Sequence, residues 1–338
     1  MKKIINVAVI GVNGFGRHHI KAFDTNKNAK LVAVCDIVEE YAKELGEEYG
    51  VSYTTSFDEI LENKEIDAIS IALPDQIHCE YVVKALRAGK DVLCEKPLAL
   101  NLDHCKEMIR VANETGRYLM VGQICRFTPG FVMAKKIIDD GAIGELFFVE
   151  SEYAHDYSKM KCEWRKNDPE RDGFLGGACH AVDLLRWIAG NPSEVFAYAN
   201  HKVLKDWPSN DCTIAVMKFP NDVIGKVLGS TGCKRNYTMR TVLYGTNGTI
   251  IVDNTTPKLT LFKEDSYMKE GCHNTPIEIP VQVSNHNIFD EINEFVSCII
   301  EQRTPILSPV EGAATVSICL AAIQSAKDHR PVEVDYNF

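Results

Sequence analysis

The 338-residue chain predicts two domains: an α/β domain with a parallel sheet over residues 1–124, then an α+β domain with a mostly antiparallel sheet over residues 125–338. Three observations carry this. The length exceeds what one hydrophobic core usually organises. Up to Gly122, short β-branched runs alternate with amphipathic stretches, the pattern of a parallel sheet wound with helices. After Arg126-Phe127-Thr128-Pro129 the runs lengthen and alternate apolar with polar, as strands with one covered face do.

The first domain's strands are expected at Ile4–Ile10, Lys30–Cys35, Ala68–Leu73, Asp91–Cys94 and Tyr118–Val121, with helices at Phe15–Phe23, Val38–Tyr49, Cys79–Ala88 and Asp103–Glu114. Gly89 and Gly116 each follow a helical run and precede a strand, where a left-handed cap is needed. In the second domain, strands are expected at Leu146–Tyr153, Val195–Val203, Cys212–Phe219, Val223–Ser230, Met239–Tyr244 and Pro280–Val283. Helices are expected at Pro129–Asp139 and Cys179–Ala189. A last pair, Asn287–Glu301 and Val310–Lys327, ends the chain and could pack back on the first domain.

Composition narrows the function classes. A formal charge of −10 disfavours nucleic acid as a partner. No apolar run approaches the ~18 residues of a membrane helix, so no membrane partner is expected. The 12 cysteines form no C-x-x-C pair and signal no metal site, and several sit in apolar runs as reduced thiols do. Met1-Lys2-Lys3 precedes a strand-like run that lacks a small-residue cleavage site. A cytoplasmic protein is expected.

Gly11-Val12-Asn13-Gly14-Phe15-Gly16 follows the first strand and opens the first helix, the context a dinucleotide-binding turn requires. Glycines let backbone N–H groups approach a pyrophosphate, whose charge is held at the positive end of a helix. Asn13 stands where a second glycine is usual, and asparagine tolerates left-handed backbone better than most residues. Asp36 ends the second strand 20 residues after Gly16, where its carboxylate can accept hydrogen bonds from ribose hydroxyls and repel a 2'-phosphate. NAD is therefore expected in preference to NADP.

Downstream stand Leu73-Pro74-Asp75-Gln76-Ile77-His78 and Gly89-Lys90-Asp91-Val92-Leu93-Cys94-Glu95-Lys96-Pro97. Val121-Gly122-Gln123, Arg126-Phe127-x-Pro129, Gly176-Gly177-x-x-His180-x-x-Asp183 and His286-x-x-x-x-Glu291 follow. With these motifs the chain resembles the glucose-fructose oxidoreductase / inositol dehydrogenase family (Gfo/Idh/MocA) over nearly its whole length, the E-K-P element being the most specific part. The resemblance implies a Rossmann domain followed by an open-faced mixed sheet often used for oligomerisation. It also implies NAD(P)-dependent chemistry on sugar or cyclitol hydroxyls, with Lys96 and His180 at the reacting carbon. The cofactor residues carried over are Gly11, Asn13, Gly14, Phe15, Gly16, Asp36, Leu73, Pro74, His78, Glu95, Lys96 and Gln123; Arg126 joins the substrate side.

Chemistry gives the same residues roles. Oxidising a secondary alcohol needs a hydride acceptor and a group that removes the hydroxyl proton. Lys96 ends a parallel strand, where ligands of open α/β sheets bind, and Pro97 restricts its backbone. His180 opens a helix with Asp183 three residues on, on the same face, where a carboxylate can fix the imidazole's tautomer. Inositol-type members commonly carry Asp four residues before this histidine, whereas this chain has Gly176. Tyr157, Trp164 and Arg165 are then candidate substrate contacts, with Glu152, His155 and Asp156 as further ones. Cys179 is expected to pack, because adjacent residues at a helix start point about 100° apart and no S-C-T-T-N loop is present.

The sequence thus leads to a cytoplasmic NAD-dependent oxidoreductase acting on a ring hydroxyl or ketone of a sugar, glycoside or cyclitol, as a homodimer or homotetramer. Redox-neutral glycoside cleavage with tightly bound NAD and a transient keto-sugar is the first alternative. A non-catalytic nucleotide-binding regulatory module is the second.

Overall fold

The computed structural model describes residues 4–160, 163–263 and 275–338. Two compact units emerge: one of residues up to Gln123 with Ile288–Val316 and Phe338, the other of Ile124–Asn287 with Ser317–Asn337.

The first unit runs β1 (Ile5–Ile10), α1 (Gly16–Thr25), β2 (Ala29–Cys35), α2 (Glu39–Tyr49), β3 (Ser52–Thr54), α3 (Phe57–Glu62), β4 (Ala68–Ile71), α4 (His78–Arg87), β5 (Asp91–Glu95), α5 (Leu102–Thr115) and β6 (Leu119–Gly122). All six strands are parallel, in the order β3-β2-β1-β4-β5-β6, so the order reverses between β1 and β4. Ligands of such sheets bind in the crevice at the carboxyl ends of the strands beside this reversal. β4, β5 and β6 are buried at every position, which is why they lack the regular apolar–polar alternation of strands with one wet face. Gly89 and Gly116 have φ of +79° and +63° and close α4 and α5.

Two elements were not anticipated here. β3 is only three residues long, too short to show a period. α3 is a short helix whose start was marked by Ser56-x-x-Glu59; the Ser56 side chain accepts the Glu59 N–H at 3.4 Å.

The second unit holds α6 (Pro129–Asp139), β7 (Leu146–Ala154), α7 (Glu163–Lys166), α8 (Gly173–Gly176), α9 (Cys179–Ala189), β8 (Glu194–Asn200), β9 (Cys212–Lys218), β10 (Ile224–Ser230), β11 (Thr238–Gly245), β12 (Gly248–Asp253), β13 (Lys258–Lys263) and β14 (Ile277–Pro280). With β15 (Val332–Glu333) the strands form a nine-stranded sheet, β14-β13-β12-β11-β7-β10-β9-β8-β15, antiparallel except for the parallel pair β7/β10. One face of β8–β10 is covered: Val195, Ala197, Ala215, Met217 and Val227 are buried, and α9 packs against β7 and β10. The other face carries Tyr198, Ile214, Val216 and Ile224, all exposed. Strand alternation therefore separates a covered core from an open apolar surface.

The expected strand Pro280–Val283 lies instead at Ile277–Pro280, because proline has no N–H to extend a ladder and stands at the strand's end. β12 and β13 were missed. The two-residue loop Thr246-Asn247 before Gly248 is the hairpin signal that could have found β12.

Helix α10 (Ile288–Glu301) belongs to the first unit and packs against α1, with Asn26 donating to Asn293 Oδ1 at 2.8 Å. α11 (Pro309–Asp328) gives its first half to that unit and its second half to the other.

Candidate functional site

The first unit shapes a turn at the end of β1. Gly11 has φ of +81°, and a Cβ there would stand 2.6 Å from the Ala72 carbonyl oxygen. A Cβ on Gly16 would collide with the Gly11 backbone oxygen, so the helix approaches the turn closely only because residue 16 is glycine. Gly14 differs: its φ is +76°, but nothing lies within 4 Å of its Cβ position, leaving one open side. Helix α1 starts there with no side-chain cap and no acidic residue in its first turn, which leaves its positive end available to an anion.

Asp36, at the end of β2, is tied to this turn. Its Oδ2 accepts the N–H groups of Val12 at 3.0 Å and Asn13 at 3.4 Å, and its Oδ1 accepts that of Val38 at 3.0 Å. A carboxylate has about four acceptor positions, so these three bonds leave about one for a ribose hydroxyl. Gln123, after β6, is buried, and neither its amide oxygen nor its amide nitrogen has a hydrogen-bond partner. A buried orphan amide at the carboxyl edge of the sheet, an uncapped helix start and a cradle only glycine permits together fit a dinucleotide.

Leu73 and Pro74 follow β4, and Leu73 Cδ2 would stand 2.9 Å from a Gly11 Cβ. His78 is fully buried; its Nδ1 lies 2.9 Å from the Pro97 oxygen and its Nε2 2.9 Å from the Leu73 oxygen. It therefore joins the two loops that flank the strand ends. Phe15 packs its ring on His18 and His19. Glu95 turns inward: Oε1 meets His19 Nε2 at 3.0 Å and Oε2 accepts the Lys96 N–H at 3.2 Å. Burial works against the Glu95 charge. The hydrogen bond and charge of His19, with Lys96 beside it, outweigh that and hold the carboxyl below its usual value.

The second unit groups rings around His180, which is buried at the start of α9. Tyr153 stacks on it at 6.3 Å between centroids, and His286 lies 5.5 Å away. The Tyr153 hydroxyl is 2.9 Å from that of Tyr157 and 3.1 Å from His155 Nδ1, while the Tyr237 hydroxyl is 3.2 Å from His286 Nε2. Burial, reinforced by neighbouring hydroxyls, pushes Tyr153 well above the ordinary phenol value; burial with Cys125 and Tyr157 does the same for Tyr237. Both stay protonated, so imidazole rather than phenolate is the base this cluster offers.

Arg126 and Asp183 are brought together. Arg126 Nε and Nη2 donate to Asp183 Oδ2 and Oδ1 at 2.7 and 2.6 Å, and Arg186 Nη1 lies 3.6 Å from Oδ1. The Asp183 charge is thus spent on a bidentate guanidinium one helical turn beyond His180, and Arg126, expected among the substrate contacts, braces that helix.

The Gly176 departure has a physical counterpart. A Cβ at Gly176 would fall 2.2 Å from Arg171 Nη2, so the buried Arg171 guanidinium fills the space a side chain would need. The guanidinium carbons of Arg171 and Arg165 sit 5.5 and 4.9 Å from the centre of the Trp164 ring. Among the further candidates, Glu152 pairs with Arg235 and Asp156 with Lys234. Cys179 is buried. Tyr153, Tyr237 and His19 were missed by sequence reasoning; the inward alternation of β7 is the signal that could have found Tyr153.

Comparison with known proteins agrees with this geometry. Residues 5–123 match the model of an oxidoreductase family with an NAD-binding Rossmann fold, and residues 131–251 match the GFO/IDH/MocA C-terminal domain. The chain is 26% identical to the scyllo-inositol 2-dehydrogenase (NAD(+)) of Bacillus subtilis (strain 168), over 99% of this chain and 98% of that protein. It is 31% identical to a 2,7-anhydro-N-acetylneuraminate hydratase of Mediterraneibacter gnavus, over 57% of this chain and 52% of that one. Levoglucosan dehydrogenase in complex with NADH and L-sorbose shares the fold, with a TM-score of 0.90 at 23% identity over 98% of this chain and 99% of that chain. From the two matched domains, the glycine turn and the E-K-P strand end, the chain belongs to the GFO/IDH/MocA family of oxidoreductases.

Proposed function

We propose that this protein is an NAD-dependent oxidoreductase that interconverts a ring hydroxyl and the corresponding ketone of a sugar, glycoside or cyclitol. The observation that carries the reading is Lys96 at the carboxyl end of β5, in the same unit as a glycine turn shaped for a dinucleotide. Relatives named as inositol dehydrogenases support the substrate class. Bound nicotinamide supplies the hydride acceptor. Gly11, Gly14 and Gly16 admit the pyrophosphate to the start of α1, Asp36 takes the adenosine ribose, and the Gln123 amide takes a polar atom of the cofactor. The half-buried Lys96 ammonium donates to the substrate oxygen as negative charge develops there, and His180 accepts the hydroxyl proton, or Lys96 relays it. Asp183 holds the His180 turn through Arg126, and Tyr157, Trp164 and Arg165 contact the substrate. Because Gly176 stands where the resemblance to inositol-type members leads one to expect Asp, acidic sugars belong in the substrate panel beside neutral ones.

The test is purified protein with NAD against cyclitols, free sugars, acidic sugars and glycosides, following nicotinamide reduction and product identity together. Reduced nicotinamide matched by a keto product supports the reading; binding of NAD with no turnover of any compound supports a regulatory module instead. A redox-neutral reaction is the second reading, favoured by the relative named as a hydratase. Its mark is a released or rearranged product without accumulated reduced nicotinamide.

The open apolar face around Tyr198, Ile214 and Val216 supports a homodimer or homotetramer, checked by light scattering. No helix among the described residues is long and apolar enough to cross a membrane. Free thiols at all ten described cysteines support a cytoplasmic location.

A further inference from the structure

Behind Lys96 the first unit encloses a small polar cluster from four elements. His19 on α1 reaches Ser70 on β4 through Nδ1 at 2.7 Å and Glu95 on β5 through Nε2 at 3.0 Å. Glu291 on α10 completes it; the side-chain donor atoms of His19, Glu95 and Glu291 all lie within 4.8 Å of one another. Every member is buried. Glu95 is engaged through both oxygens, whereas neither oxygen of the fully buried Glu291 has a hydrogen-bond partner.

Two ionised carboxylates this close, away from water, repel strongly, and a pair so placed keeps one proton between them. The surroundings decide which holds it. Glu95 has His19 and the Lys96 N–H on its oxygens; the groups bearing on Glu291 are Glu95, which opposes its charge, and Lys96, which favours it. Its helix neighbour Glu294 is committed to Arg303 at 2.7 Å.

We propose that Glu291 is a protonated carboxylic acid at neutral pH and a positioning residue for Lys96, limiting the charge behind the ammonium to the single anion of Glu95. Burial first, and the Glu95 charge second, push Glu291 well above the usual carboxylate value. A second anion would tighten the grip on the Lys96 proton and slow its relay to and from substrate. This consequence rests on the proposed function, whereas the protonation of Glu291 does not.

The experiment compares wild type, Glu291→Gln and Glu291→Ala with NAD bound. Infrared spectra at neutral pH are expected to show a protonated-carboxyl carbonyl band in wild type that Glu291→Gln abolishes. In turnover, Glu291→Gln, neutral and able to donate an N–H, is expected to rescue most of the activity that Glu291→Ala loses. The alkaline limb of the wild-type pH profile, where Glu291 ionises, should move up by about one pH unit or vanish in Glu291→Gln. Absence of a Glu291-dependent carboxylic acid band overturns the proposal. So does an unchanged pH profile with Gln as damaging as Ala, or a stoichiometric divalent ion that copurifies with wild type and is lost from Glu291→Gln. Should wild type turn over no sugar or cyclitol, the proposed function fails while the infrared band still decides the state of Glu291.

Discussion

Asp183 in the second unit and Glu291 in the first are both carboxyl groups sealed from water, and their surroundings differ in every other respect. Asp183 is gripped by two hydrogen bonds from Arg126 with Arg186 close by, so its charge is neutralised where it stands. Glu291 meets no such cation-bearing grip; its nearest charged neighbour on β5 is another carboxylate. Burial alone therefore says nothing about charge. The partner decides whether a buried carboxyl is a fixed anion or a neutral acid.

Removing each charge breaks or sharpens that contrast. Asp183→Asn leaves Arg126 buried without its anion and is expected to cost about 3–5 kcal/mol, read as a drop in the denaturation midpoint with an unchanged slope. A loss below about 1 kcal/mol would place Asp183 in the same class as Glu291.

Glu291→Gln should behave oppositely. The folded value of Glu291 lies above the ordinary 4.5, so the stabilisation it contributes is complete below pH 4.5 and is lost as pH rises toward its folded value. Glutamine does not titrate. The variant should gain on wild type by about 1.4 kcal/mol per pH unit over that window, and a pH-independent difference would contradict the neutral-acid assignment.

Asp36 stands between the two, half-buried and held by backbone N–H groups rather than by a cation. Asp36→Asn should shift the NAD-to-NADP affinity ratio toward NADP by about tenfold, or ~1.4 kcal/mol, measured by titration calorimetry with both cofactors. Gly14→Ala touches nothing within 4 Å and should cost about 1 kcal/mol for its positive φ, while weakening NAD binding through the methyl on the open side. Equal losses of stability and affinity there would argue that the turn is only structural.

What the sequence revealed follows from how the groups of each unit are held. The cofactor turn is built of backbone, and Gly11, Gly14, Gly16 and Asp36 stand at a spacing that local geometry demands, so they were legible. The parallel core was legible for a related reason: buried strands such as β4 and β5 carry short apolar segments with no outward polar face. Arg126 and Glu95 come from elements far along the chain from Asp183 and Glu291, and no local spacing announces that Arg126 grips the Asp183 carboxylate or that Glu291 faces Glu95. Gly176 was visible as a departure, but the guanidinium that fills its space comes from a neighbouring loop.

The most direct test of the account is the turnover of Lys96→Ala beside wild type, with NAD and a cyclitol or sugar that wild type oxidises. Wild type is expected to yield equimolar keto product and reduced nicotinamide, and the variant a kcat lower by about a hundredfold or more. A variant that turns over at the wild-type rate would contradict it.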